Sequence, residues 1–242
     1  MKSISRLQRT FRLIVPRIPV ILVTGMGGEQ VVTVTKALPG FPGALGHDRL
    51  DDISDWIAAT LDLLEQAGLE GADLVGASAG GMLAAEVAAF SPATVRRLVL
   101  VAPFGLFDAQ EAVADPFARK PREIPELLCS RAERFIEQRK APPDEDVAEW
   151  MITLARADEA AARLLWPLGE RGLAKRLHRV RVPTLVAWGE QDRVIPPSYA
   201  ERFVRGIGSN ATALLVPGAG HLVDLDAPDE LGRAIEEFLD AS

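Results

Sequence analysis

Ser78 sits in the run Leu74-Val75-Gly76-Ala77-Ser78-Ala79-Gly80-Gly81, where an apolar stretch meets a glycine-flanked serine and passes into an Ala-rich segment. A hydroxyl raised on a sharp strand-to-helix turn is suited to nucleophilic attack, and the tiny residues Gly76 and Gly80 leave the room such a turn demands. The plainer reading, a serine N-cap on a glycine-rich turn, accounts less well for the strand-like residues before it and the helix-like residues after it. At the head of that helix the Ala79 N–H is placed to donate to a developing oxyanion.

A serine hydroxyl is a poor nucleophile until a base accepts its proton. The chain has three histidines, His47, His178 and His221. His221 ends the segment Val216-Pro217-Gly218-Ala219-Gly220-His221, in which glycines allow a loop to fold over the carboxyl ends of strands. His178 lies in the basic run Lys175–Arg179 just before a strand, and so at the other end of a sheet; His47, in a Gly-rich loop, can at most line an entrance. An imidazole acting as base needs a carboxylate to fix its tautomer and stabilise its cation. Asp192, in Gly189-Glu190-Gln191-Asp192 after another apolar run, is the candidate, with Glu190 as near competitor and a helix cap as its alternative employment. The chain order serine, acid, histidine is the one expected for acyl-transfer chemistry on an α/β sheet.

Elements that must position these groups are visible as β-branched, apolar runs: Ile18–Thr24, Val31–Thr35, Ala72–Gly76, Val95–Ala102, Val182–Trp188 and Ala211–Val216. Most are apolar throughout, the pattern of strands covered on both faces, as in a parallel sheet between helices. Asp51–Ala67 and Asp226–Leu239 carry apolar residues at helical spacing. Together they predict an α/β class chain with a doubly wound, mostly parallel sheet in one domain spanning 1–242. From about 104 to 178 no strand is expected; helical periodicity in Ile124–Arg139, Asp144–Arg156 and Asp158–Leu177 predicts an inserted helical cap.

Composition narrows the alternatives. The net charge is −7, with no basic stripe through the body of the chain, which argues against nucleic acid as partner. The first 17 residues carry five basic residues and no acid, leaving −12 on the remainder. Arginines interrupt their apolar residues at nearly every turn, so they read as a surface segment in place of an export signal, with an amphipathic membrane contact as the alternative. No run reaches the roughly 20 apolar residues of a membrane span. The lone Cys129 has no disulfide partner and no metal-ligand spacing around it, which fits a reducing, cytoplasmic setting without a metal.

On Gly76-Ala77-Ser78-Ala79-Gly80-Gly81, Gly189-Glu190-Gln191-Asp192, Gly218-Ala219-Gly220-His221 and Leu38-Pro39-Gly40-Phe41-Pro42-Gly43, the chain resembles the α/β-hydrolase superfamily, and within it the cap-bearing serine esterases and carbon–carbon bond hydrolases. The resemblance implies Ser78 as nucleophile, Asp192 as acid and His221 as base. Where the family has a His-Gly pair, this chain reads Thr24-Gly25-Met26-Gly27-Gly28; the Met26 N–H is expected as second oxyanion donor, with Gly27 as the register-shifted alternative and Gly25 and Gly27 near the substrate. The segment that follows is too short for the helix the family places there.

These readings predict hydrolysis of carboxylic esters of small to medium apolar acyl groups through an acyl-enzyme, without cofactor. Phe104, Trp150 and Trp166, with Phe107, Phe117 and Met151, are expected to wall an apolar pocket or simply to pack the cap on the sheet. The alternatives are hydrolysis of a carbon–carbon bond in a vinylogous diketo acid, for which Arg131, Arg134 or Arg163 would hold a carboxylate, and a ligand-binding protein of weak activity. Monomer and homodimer are both left open.

Overall fold

The computed structural model describes residues 20–27, 30–37, 40–44, 50–69 and 71–241, with side chains from residue 40 onward. The expectations for residues 1–17 and for His47 fall outside the described residues.

The described strands form one six-stranded sheet in the order β2-β1-β3-β4-β5-β6, with β1 Val20–Gly27, β2 Gln30–Ala37, β3 Ala72–Ala77, β4 Val95–Val101, β5 Thr184–Gly189 and β6 Ala211–Val216. From β3 to β6 every pairing is parallel. Alternate residues of these strands enter different cores, which is why their sequences are apolar throughout. Leu74, Leu98, Leu100, Val186 and Trp188 join one cluster with α1 (Ile53–Gln66), α2 (Ala79–Phe90) and α7 (Tyr199–Ile207). Val75, Val99, Val101, Leu185 and Ala187 join the other with Leu231 and Ile235 of α9 (Pro228–Asp240).

Helix α1 begins at Ile53, two residues after the expected Asp51, because Asp52 caps it, accepting from the Ser54 and Asp55 amides while the Asp55 side chain accepts from the Asp52 amide. Its face of Trp56, Ile57 and Leu64 is buried against α2, whose residues Ala79 to Ala89 are all buried; small side chains let α2 lie close to both sheet and neighbours.

The amino-terminal strands are the antiparallel part of this mostly parallel sheet. β1 pairs antiparallel with β2 and antiparallel with β3. Only residues 28 and 29 separate β1 from β2, and a parallel crossover needs about a dozen residues or more, so the chain must reverse. The strand also runs past the expected Thr24 through Gly25, Met26 and Gly27, since Met26 pairs with Val31 and Gly27 with Gln30.

Between β4 and β5 the described residues hold helices and turns and no strand: α3 Ile124–Leu128, α4 Ala132–Gln138, α5 Val147–Leu165 and α6 Leu173–Arg176. The single helix expected over Ile124–Arg139 is broken at Cys129–Arg131, where the Ser130 and Arg131 amides turn to the carboxylate of Asp226. The two helices expected on either side of Ala157 are one, because no breaker interrupts that stretch; the helix ends before Pro167, which disfavours helix in the residue preceding it. After β6 the helix expected over Asp226–Leu239 is α9, and a short helix that the apolar pattern did not announce, α8 Val223–Asp226, precedes it. No helix among the described residues is long and apolar enough to cross a membrane.

Candidate active site

Ser78 stands between β3 and α2 with φ 53° and ψ −119°, a positive φ that costs a non-glycine residue about 1–3 kcal/mol and persists only where the surroundings hold it. They do: its N–H donates to the Val101 carbonyl at 2.9 Å, and its own carbonyl accepts from the amides of Met82 at 3.1 Å and Phe104 at 3.2 Å. Gly76 is required, because a Cβ there would run into the Gly80 carbonyl. The hydroxyl makes no cap bond to α2. Its oxygen lies 2.9 Å from His221 Nε2.

His221 follows β6 in a turn made possible by Gly218, at φ 70°, and Gly220. Its Nδ1 lies 2.9 Å from Asp192 Oδ2, and both side chains are nearly inaccessible, at 1% and 0%. The second oxygen of Asp192 accepts from the Val194 and Ile195 amides at 2.8 and 2.9 Å, so one carboxylate both holds its own turn and faces the imidazole. Glu190, its competitor, is exposed. The Asp192 and His221 turns touch backbone to backbone, since any side chain at Gly189 would collide with the carbonyls of Ala219 and Gly220. His178 is exposed just ahead of β5, at the far edge of the sheet from Asp192.

Phe104, expected near the substrate, is buried and presents its ring edge-on to His221, 5.5 Å between centroids. The other aromatics of the insertion are not brought to the three side chains. Trp150 is buried and its indole N–H donates to the Arg139 carbonyl, tying α5 to the end of α4. Trp166, Phe107, Phe117 and Met151 are exposed. Arg134 donates to the carbonyls of Leu225 and Asp226, Arg163 donates to the Leu50 carbonyl and lies 3.7 Å from Asp51, and Arg131 is exposed.

The oxyanion donor expected from Met26 is corrected by the direction of β1. Ile21 lies opposite Gly76 and Thr24 opposite Asp73, so each step from Ile21 toward Gly25, Met26 and Gly27 leads away from Ser78. At ~3.4 Å per residue, five residues carry Met26 about 17 Å along the sheet, to its opposite edge. Ala79, first residue of α2, is beside Ser78, and its amide is one of those for which a helix supplies no internal acceptor.

Two buried acids beside the histidine escaped sequence reasoning. Asp226 accepts from the amides of Gly220, Ser130 and Arg131 at 2.8, 2.7 and 3.1 Å. Asp224 is buried, and burial pushes its carboxyl up to about 7 from an ordinary 3.8. The sequence signal was an acid shortly after His221 and just ahead of Pro228, whose meaning depends on partners about 95 residues away. Burial also pushes the thiol of Cys129 up, so it is no nucleophile at neutral pH. No group of three ligating side chains suited to a metal occurs among the described residues.

Because folding raises the Asp224 value, the folded protein binds this proton more tightly than the unfolded chain, and stability falls as pH rises from about 4 to about 7. Asp224→Asn is therefore expected to raise the unfolding free energy at pH 8 by more than it does at pH 4.5, with a difference on the order of a few kcal/mol, and with it the thermal midpoint. Thermal scans at the two pH values check this; equal effects at both would contradict it.

A model described as the alpha/beta hydrolase family matches residues 16–234. Among curated relatives, the dihydrolipoyllysine-residue acetyltransferase component of the acetoin cleaving system of Pseudomonas putida is 29% identical over 91% of this chain and 63% of its own length. The sn-1-specific diacylglycerol lipase ABHD11 of Mus musculus is 30% identical over 73% of this chain and 62% of its own. The chain thus spans less than two thirds of the length of these relatives. The solved 2-hydroxy-6-oxo-6-phenylhexa-2,4-dienoate hydrolase from Rhodococcus sp. strain RHA1 is similar in fold, with a TM-score of 0.67 at 19% identity over 87% of this chain and 79% of that one. With the family model spanning nearly the whole sequence, the chain belongs to the alpha/beta hydrolase family.

Proposed function

We propose that the chain is a serine hydrolase that cleaves carboxylic esters of small to medium apolar acyl groups, with Ser78 as nucleophile, His221 as general base and Asp192 as the carboxylate that orients the imidazole. The observation that carries this reading is the continuous relay from Ser78 Oγ, which is half-buried, through His221 Nε2 and Nδ1 to the buried Asp192 Oδ2, each step 2.9 Å. A hydroxyl at that distance loses its proton to Nε2 as its oxygen attacks the ester carbonyl carbon. The Ala79 N–H faces the oxygen that becomes negative, and Asp192 stabilises the imidazolium that forms. His221 then returns the proton to the departing alkoxide, which leaves an acyl-serine. Water deprotonated by the same imidazole adds to it, and collapse releases the acid and restores Ser78. No metal or organic cofactor takes part in these steps.

The likeness to a diacylglycerol lipase supports ester chemistry. Carbon–carbon bond hydrolysis of a diketo acid asks in addition for a cation at the substrate carboxylate. The engagement of Arg134 with two backbone carbonyls and of Arg163 with Leu50 and Asp51 favours the ester. One cysteine, buried and without a disulfide partner in the chain, supports a reducing, cytoplasmic setting.

A fluorophosphonate probe is expected to label Ser78 alone, as read by peptide mapping, and a p-nitrophenyl ester series is expected to be turned over fastest at short to medium acyl chains. A diketo acid turned over faster than any ester would move the reading to carbon–carbon cleavage. Folded protein that takes up no label would leave a binding role and remove the hydrolase reading.

A further inference from the structure

The turn that carries His221 is clasped from two sides. On one side lies the Asp192 turn, where the Gln191 amide donates to the Ala219 carbonyl at 2.9 Å. On the other lies the insertion, whose residues between α3 and α4 press so closely that a Cβ at Gly220 would come within 2.9 Å of the Ser130 nitrogen. The Leu222 amide donates to the Leu128 carbonyl at 3.0 Å, and the Ser130 hydroxyl lies 3.0 Å from Gln191 Oε1.

One buried side chain joins these parts. Asp226, 2% exposed, accepts through Oδ2 from Gly220 N at 2.8 Å and Ser130 N at 2.7 Å, and through Oδ1 from Arg131 N at 3.1 Å. Its own amide donates to the Leu222 carbonyl, and Arg134 holds its carbonyl, so the acid is fixed to the turn it serves. Three N–H groups from two separate segments converge on the oxygens of this one side chain, which accept from all of them. Gly220 immediately precedes the histidine, so its peptide plane sets where the imidazole points.

We propose that Asp226 is a positioning residue for His221, and that residues Leu128–Arg131 of the insertion are a fixed part of the mounting of the base in place of a lid that moves. The functional consequence rests on the reading of Ser78 and His221 given above. Misplacement of a reacting group by about 1 Å costs about 10²-fold in rate. Asp226→Asn keeps the size but turns an NH₂ toward the converging donors. It is expected to lower kcat on p-nitrophenyl esters about 10²-fold with KM little changed, and Asp226→Glu, which keeps the charge, is expected to recover part of the loss.

The readout that a merely structural role would not move is the far-downfield proton resonance of the His221 Nδ1–H held by Asp192, identified by its disappearance in His221→Gln. It is expected in the wild type and lost in folded Asp226→Asn, although Asp192 is untouched. An unchanged resonance with unchanged kcat in folded Asp226→Asn overturns the proposal. Because the resonance needs no turnover, an inactive wild type that still shows it would remove the hydrolase reading while leaving the positioning claim to be decided by the variant. Should Asp226→Asn fail to fold, amide hydrogen exchange in the wild type decides: slow, joint exchange of Gly220, Ser130 and Arg131 supports the clasp, and exchange at the rate of free amides overturns it.

Discussion

Ser78→Ala, His221→Ala and the double variant are expected to hydrolyse p-nitrophenyl esters at one shared residual rate, about 10⁶-fold below the wild type in kcat. The reason lies in the relay, in which Oγ and Nε2 stand 2.9 Å apart and exchange the proton that moves as the oxygen attacks. Without the base the hydroxyl does not give up its proton, and without the hydroxyl the base has nothing to activate, so the second deletion removes nothing further. Asp192→Asn is expected to cost less, about 10⁴-fold, because its amide can present NH₂ to Nδ1 and hold the ring in the wrong tautomer without displacing it. Steady-state kinetics on the four variants test this. If the two single losses multiply in the double variant, Ser78 and His221 do not act as a unit and the mechanism fails.

The largest effect on stability is expected at Arg176. Its guanidinium meets Glu86 in a bidentate pair, with Nε 2.8 Å from Oε2, and Glu86 is 1% exposed on α2, the helix whose first amide belongs to Ala79. Arg176 also donates to the Arg171 carbonyl and lies over the Phe90 ring at 5.4 Å. The pair fastens the last helix of the insertion to the helix behind Ser78. Arg176→Ala leaves a charge buried without its partner, a change that costs about 3–5 kcal/mol. Replacing both residues by leucine removes the orphaned charge and is expected to regain most of that loss. Urea denaturation of the two variants gives the comparison. A loss below about 1 kcal/mol for Arg176→Ala, the range of an exposed ion pair, would mean that Glu86 is not buried as described.

Much of the site was legible because its chemistry is written into short segments. Gly76 to Gly80 can be recognised as a strand-to-helix turn from backbone sterics alone, and the apolar residues of β3, β4 and β5 announce strands covered on both faces. A parallel sheet then brings the turns after β3, β5 and β6 to one edge, so the approach of Ser78, Asp192 and His221 follows from topology. The illegible parts turn on partners distant in sequence. Helical periodicity continues from Ile124 to Arg139, yet the helix breaks where the Ser130 and Arg131 amides bond to Asp226, about 95 residues away. Trp150 and Trp166 look alike as apolar candidates, and only the fold buries one against Arg139 and exposes the other.

The sequence by itself determined the chain of local necessities: a serine on a strained turn, a histidine and an acid after later strands, and a central sheet too apolar to be wetted on either face. Tertiary structure alone decided the direction of β1. The strand pairs antiparallel with β3, which carries Gly25, Met26 and Gly27 to the end of the sheet opposite Ser78 and leaves Ala79 as the described backbone donor beside the hydroxyl. It also decided the work of Asp226, because an acid acquires three amide donors only when separate segments of backbone converge on it, and no spacing along the chain records that convergence.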